Sequence, residues 1–164
     1  MSITFNSDEI FEIAVQIEKN GALFYRKAAD MFSDEAINSL LLELAAMEDQ
    51  HEKTFKALSD ELSAGDPVKL VFDPDDQAAL YLQAVADGNV FDLKGGPSAM
   101  LPEGITLEEV LNTAIGVEKE SVVFYTGMKE IVAKKLGKEK IDIIIKEEIG
   151  HITNLRGKLK ELRN

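Results

Sequence analysis

Apolar residues recur along two proline-free arms of the chain in steps of four and three, the spacing of one face of an α-helix. After residue 33 the stripe runs Ile37, Leu41, Leu44, Glu48, His51, Phe55, Leu58 and Leu62; before it run Phe11, Ala14, Glu18, Gly21, Tyr25, Ala28 and Phe32. Both stripes have the form of a seam that packs on a partner helix, and both place polar residues where packing calls for apolar ones. Helix starts are signalled by Ser7 before Asp8 and Glu9, by Ser33 before Asp34 and Glu35, and by the capping box Thr106-x-x-Glu109. Gly137 reads as the left-handed residue that closes a third helix. The pattern predicts helices over 8–32, 34–62, 107–136 and 138–162, an all-α architecture of two helical hairpins at 8–62 and 107–162.

All four prolines, Pro67, Pro74, Pro97 and Pro102, fall between the arms together with Gly65, Gly88, Gly95, Gly96 and Gly104. This punctuation marks one long crossover, 64–105, between helices two and three. Within it, 75–85 carries acidic residues followed by apolar ones at helical spacing, which predicts a short helix. With 164 residues the chain has room for one domain, 1–164.

Composition narrows the chemistry. Cysteine is absent, which excludes disulfides, thiolate nucleophiles, iron–sulfur clusters and sulfur-ligated zinc, so any metal must be held by oxygen and nitrogen. A net charge of −12 sets the surface against phosphate backbones and anionic lipid, so neither nucleic acid nor membrane is expected as a partner. No apolar run approaches the ~20 residues of a membrane span, and MSITFNSDEI lacks the basic and apolar regions of a leader, which points to the cytoplasm.

A shift of 100 residues lays IEKNGALFY (17–25) over VEKESVVFY (117–125), and lays Glu48-x-x-His51 over Glu148-x-x-His151 without a gap. The chain's only two histidines thus share one phase of a repeat. Each Glu-x-x-His puts a carboxylate and an imidazole on one helix face, and each hairpin adds a further seam glutamate, Glu18 or Glu118. A turn near residue 33 lies about 15 residues, or ~22 Å, from both Glu18 and Glu48, which brings them level in an antiparallel hairpin. For Glu118 and Glu148 the midpoint is Ala133, and a turn at Gly137 would leave them offset by about one helical turn. Four carboxylates in a bundle core would repel one another and lose hydration, a cost that two divalent cations would remove. Four Glu and two His spread over four helices is the di-iron or di-manganese carboxylate pattern of ferritin-like bundles.

At these residues, and above all over IEKNGALFYRKAADMF and LLELAAMEDQHEKTFKAL, the chain resembles the rubrerythrin branch of the ferritin-like superfamily. The resemblance implies a ferritin-like four-helix bundle with one long crossover between helices two and three, binding two Fe ions, with manganese or zinc as alternatives. By position, Glu48 and Glu148 would bridge the metals, while Glu18 with His51, and Glu118 with His151, would complete the two terminal sets. Tyr25 and Tyr125 would each donate a hydrogen bond to a ligand carboxylate of the opposite hairpin; as plain core aromatics they need no such role. Two departures stand out. The chain lacks the four cysteines of the rubredoxin-like domain that rubrerythrins usually carry, and Ser121 stands where they have a further carboxylate one turn after the helix-three glutamate.

Glu52, Glu120 and Glu147 flank the ligands but fall off the seam and read as solvated, with help to iron access as the alternative for Glu120 or Glu147. The matching small residues Gly21 and Ser121 serve either close packing or room for an oxidant. The expected function is a di-iron oxidoreductase that reduces hydrogen peroxide or O2 with electrons from an external carrier such as a rubredoxin, acting as a homodimer by analogy. The alternatives are a ferroxidase that handles iron and a non-catalytic metal-binding bundle.

Overall fold

The structure, a computed structural model, describes residues 7–63, 77, 80–82, 84, 96–132 and 135–164. Four long helices account for most of them: α1 Ser7–Met31, α2 Glu35–Ser63, α3 Leu107–Ile131 and α4 Lys135–Leu162. The described residues contain no strand. Helices α1 and α2 form one antiparallel hairpin and α3 and α4 the other, and the hairpins meet through α1 against α3 and α2 against α4. The fold is an all-α helical bundle. No described helix is long and apolar enough to cross a membrane.

The repeat carries through to the backbone. Helices α1 and α3 start and stop 100 residues apart, and α2 and α4 begin 100 residues apart. The second turn is therefore not at Gly137. Helix α3 stops at Ile131, with its last N–H bond running from Val132 to the carbonyl of Met128 (3.2 Å), and α4 is already under way at Lys135. Gly137 lies inside α4, so the predicted bounds 136 and 138 are both replaced. With α3 ending at Ile131 and α4 beginning at Lys135, Glu118 and Glu148 lie equally far from the facing helix ends, so they stand level and the expected offset disappears.

Two of the predicted starts also move. Ser7 is the first residue of α1 rather than a cap before it, and the cap of α2 is Asp34 rather than Ser33. The Asp34 carboxylate accepts the backbone N–H of Ile37 (2.9 Å), satisfying one of the four N–H groups that an α-helix leaves open at its start. Thr106 caps α3 as predicted: its hydroxyl accepts from the Glu109 N–H (3.2 Å), and the Glu109 carboxylate accepts from the Thr106 N–H (2.8 Å). A positive φ of 82° at Gly104 turns the chain into this cap.

Much of the predicted crossover 64–105 lies outside the described residues. Of the short helix expected over 75–85, Gln77, Leu80, Tyr81, Leu82 and Ala84 are described and helical. Leu82 is buried in the core, and the Tyr81 hydroxyl donates to the carbonyl of Val123 on α3 (3.3 Å). A 3-10 turn, Pro97–Met100, packs against α1.

Both seams point inward. Phe11, Phe24, Phe55 and Phe124 are fully buried, each contributing on the order of 1.5–3 kcal/mol by leaving water. Of the predicted seam, Phe32 at the end of α1 is only half-buried, and the side chain of Leu62 lies outside the described set. Apolar layers above and below thus enclose one polar layer at mid-height.

Candidate metal centre

Glu18, Glu48, His51, Glu118, Glu148 and His151 come together in that layer, each with 2% or less of its surface exposed. One residue comes from each of α1 and α3, and two from each of α2 and α4. The imidazole rings face each other with centroids 5.8 Å apart and planes 20° from parallel. Two overlapping groups result. Glu18, Glu48, His51 and Glu148 form one and Glu48, Glu118, Glu148 and His151 the other, with the candidate ligand atoms of each group within 4.8 Å of one another.

The distances repeat from one group to the other. His51 Nδ1 lies 3.0 Å from Glu148 Oε1 and 3.4 Å from Glu18 Oε2 and Glu48 Oε2. His151 Nδ1 lies 2.9 Å from Glu148 Oε2 and 3.4 Å from Glu48 Oε1 and Glu118 Oε1. Glu48 and Glu148 therefore each send one oxygen to each group, whereas Glu18 and Glu118 each serve a single group.

Hydrogen bonding does not account for this arrangement. Glu48 Oε1, His51 Nδ1, Glu118 Oε2, Glu148 Oε2 and His151 Nδ1 are buried without a hydrogen-bond partner among the described residues. Leaving such atoms unpaired costs about 1–3 kcal/mol each, and more for charged groups. A cation would satisfy them together. Ligand atoms about 2.1 Å from a shared ion stand about 3.0 Å apart at right angles and about 3.4 Å apart at tetrahedral angles, which are the separations seen here. Oxygen and imidazole donors suit divalent first-row metals. The residues fit a two-metal carboxylate centre.

Without a cation the charges are frustrated. Burial raises the carboxyls of Glu48 and Glu118, and the charge of Glu148 raises them further, Glu118 to about 8. Burial alone would lower the imidazole of His151, but Glu118, Glu148 and Glu48 outweigh it and raise it to about 12; His51 is raised in the same way by Glu148, Glu18 and Glu48. Glu148 is held below the usual carboxylate range, because the two imidazoles outweigh its burial and the repulsion of Glu18.

Two phenols close the layer. The Tyr25 hydroxyl donates to Glu118 Oε1 and that of Tyr125 to Glu18 Oε1, each reaching across to the other hairpin. Burial and the nearby carboxylates raise both phenols well above 10, so they remain protonated donors. Edge-on contacts with Phe24 (5.4 Å) and Phe124 (5.8 Å) hold the two rings, and Phe55 packs on Tyr125 at 4.8 Å.

Of the flanking acids, Glu120 is exposed and Glu52 is half-buried beside Lys19 and Lys56. Glu147 is exposed as expected, its side chain at 44%, and in addition its Oε2 lies 2.9 Å from His51 Nε2. It lines a cleft of about 530 Å³ between α2 and α4 that reaches His51. On the other side His151 Nε2 meets Met47 Sδ at 3.3 Å. Stripe reading missed both contacts because 47 and 147 lie off the seam, yet each residue directly precedes a Glu-x-x-His. Gly21 and Ser121 are buried, and the Ser121 hydroxyl donates to the Val117 carbonyl of its own helix (3.1 Å).

A solved structure from Thermotoga maritima, assigned as a ferritin-like diiron-carboxylate protein, is similar to this chain with a TM-score of 0.69 and 26% identity, covering 98% of this chain and 99% of that one. No protein-family profile matches the chain, and neither does any curated protein. The bundle is a ferritin-like fold, and the likeness over the full length supports the ferritin-like superfamily. The buried carboxylate and imidazole cluster within it fits a two-metal protein of that kind.

Proposed function

We propose that this protein is a di-iron oxidoreductase of rubrerythrin type that reduces hydrogen peroxide, with O2 as the competing oxidant and electrons supplied by an external carrier such as a rubredoxin. The observation that carries the reading is the division of the Glu48 and Glu148 oxygens between two sets of ligand atoms, which suits them as bridges between two ions. Glu18 with His51, and Glu118 with His151, would hold the outer sides. Two ferrous ions would supply the two electrons that, with two protons, convert H2O2 to two waters.

The chain's own residues complete the site. Tyr25 and Tyr125 keep one oxygen of Glu118 and one of Glu18 occupied, which fixes the carboxylates in place. The phenylalanines around them exclude water, and the cleft at His51 gives a small oxidant a route to the centre. The reading includes a separate electron carrier, since the bundle holds no cysteine that could bind a second redox centre. A homodimer is also part of it, and its mass by light scattering tests that element.

Mixing anaerobic di-ferrous protein with H2O2 and, separately, with O2 in stopped flow tests the reaction. Peroxide is expected to oxidise the centre faster. A faster reaction with O2, together with ferric mineral on repeated iron additions, would favour a ferroxidase. A colourless protein after aerobic iron loading would favour a non-catalytic bundle. Ser121→Glu, which adds a carboxylate one turn after Glu118, is expected to widen the preference for peroxide.

A further inference from the structure

The two ligand groups are copies of each other at every ligand position but not immediately behind them. Under the shift of 100 residues, Glu48 matches Glu148 and His51 matches His151, while the preceding residues are Met47 and Glu147. Each of these reaches across to the histidine of the other hairpin. His51 Nε2 meets a carboxylate oxygen at 2.9 Å, and His151 Nε2 meets a thioether sulfur at 3.3 Å.

Both histidines turn Nδ1 toward the cluster, so a bound ion takes that nitrogen and leaves the ring proton on Nε2. The Nε2–H of His51 then donates to a carboxylate, a charge-assisted bond that pins the ring and makes its other nitrogen a stronger donor to the ion. Among the described residues the Nε2–H of His151 meets methionine sulfur, a weak acceptor. Neither contact depends on a long buried side chain, since both residues are exposed at the bundle surface, Met47 at 37%.

We infer that the two metal positions are inequivalent, with the position of Glu18, Glu48, His51 and Glu148, backed by Glu147, filling first and more tightly than the position of Glu48, Glu118, Glu148 and His151, backed by Met47. The inference rests on the two-metal reading. Outer partners of this kind change metal affinity by about 10–100-fold. Repulsion between adjacent cations would separate two binding steps even at identical positions, so inequivalence shows in how substitutions move each step. Met47 and Glu147 act through the histidines and are positioning residues.

Calorimetric titration of the metal-free protein with Co2+, read in parallel by visible absorption, tests the inference. Wild type is expected to bind two Co2+ per chain in two resolved steps. Glu147→Met should weaken the first step about 10-fold or more, and Glu147→Gln, which keeps an acceptor oxygen, should recover part of that loss. Met47→Glu should tighten the second step by a similar factor and leave the first within about twofold. In NMR spectra of the Co2+ protein, the slowly exchanging shifted ring N–H of His51 should disappear in Glu147→Met and persist in Glu120→Gln. Affinities unmoved by both Glu147→Met and Met47→Glu, or a second step weakened by Met47→Glu, would overturn the inequivalence while leaving two metals bound. Fewer than two Co2+ per wild-type chain would remove the two-metal reading and the inference with it.

Discussion

The two hairpins coincide where they face the centre and differ one residue away from it. Glu18, Tyr25, Glu48 and His51 have identical counterparts 100 residues on, and the helix ends on either side of the two hairpin turns fall at the same register. Behind them Asn20 matches Glu120 and Met47 matches Glu147, and on the seam itself only the small pair Gly21 and Ser121 differs in polarity close to the ligands. Charge balance and ligand spacing tie the inner set together, because four buried carboxylates are tolerable only when all contribute to binding cations. The outer residues touch one histidine or none and are free to make the halves unlike.

Removing a bridging candidate should break the comparison most severely. Glu48→Ala or Glu148→Ala is expected to weaken binding at both positions by more than about 100-fold, beyond the range of outer partners, whereas Glu120→Ala should leave metal content unchanged. In the metal-free protein Glu48→Ala relieves repulsion, so its melting temperature should hold or rise. Metal analysis and thermal melts with and without iron would show these opposite signs, and equal effects from all three variants would mean the ligand face is misassigned.

Metal removal and pH come next. Saturating metal at about 1,000 times its dissociation constant stabilises a fold by ~4 kcal/mol, which for a chain of this size is a rise of ~10 °C in melting temperature. Without metal, stability should fall as pH rises. The raised carboxyl of Glu118 contributes fully below its unfolded value of 4.5 and loses that contribution as pH approaches about 8. The raised imidazole of His151 contributes below 6.5 and loses that contribution as pH rises through about 12. Glu148, held low, works the other way and loses its contribution only as pH falls below 4.5. Melts of metal-free protein should therefore drop from pH 5 to pH 9. Metal affinity should rise over the same range, since binding displaces the protons.

The tyrosines sharpen the symmetry itself. Tyr25→Phe and Tyr125→Phe each remove one donor to one outer carboxylate, and each should cost ~10-fold in metal affinity at the position it serves. Comparable losses would show that the halves match at this level, and a large loss from one alone would place a further asymmetry at the phenols.

Seams and repeat made most of the bundle and its polar layer legible, because burial of Leu41, Leu44 and Phe55 follows directly from helical period. The second turn was harder to read. Gly137 carries the usual stop signal but lies two residues inside α4, and the register of Glu118 with Glu148 is the better guide. At the α2 start, Ser33 and Asp34 are both good caps, and only the direction of the Ile37 N–H separates them. Glu147 and Met47 stayed hidden because their partners belong to the opposite hairpin, and the period of one helix carries no information about contacts across the bundle.

Two glycines of α3 carry opposite expectations that leave the metal centre untouched. Gly116 has open space around an added methyl, so Gly116→Ala should stabilise by up to ~1 kcal/mol. At Gly127 an added methyl would press on the ring of Tyr81 and on Leu82, so Gly127→Ala should destabilise by ~1–3 kcal/mol. Urea melts of the two variants should move in opposite directions, which would also show that the 80–82 segment packs on the second hairpin in solution.

In the proposed centre Glu48 and Glu148 join two metal ions. Anomalous diffraction at the iron edge from iron-loaded crystals measures this directly. Two peaks per chain, about 3.5–4 Å apart and flanked by the carboxylates of Glu48 and Glu148, are the predicted result. A single peak, or none between His51 and His151, would contradict it.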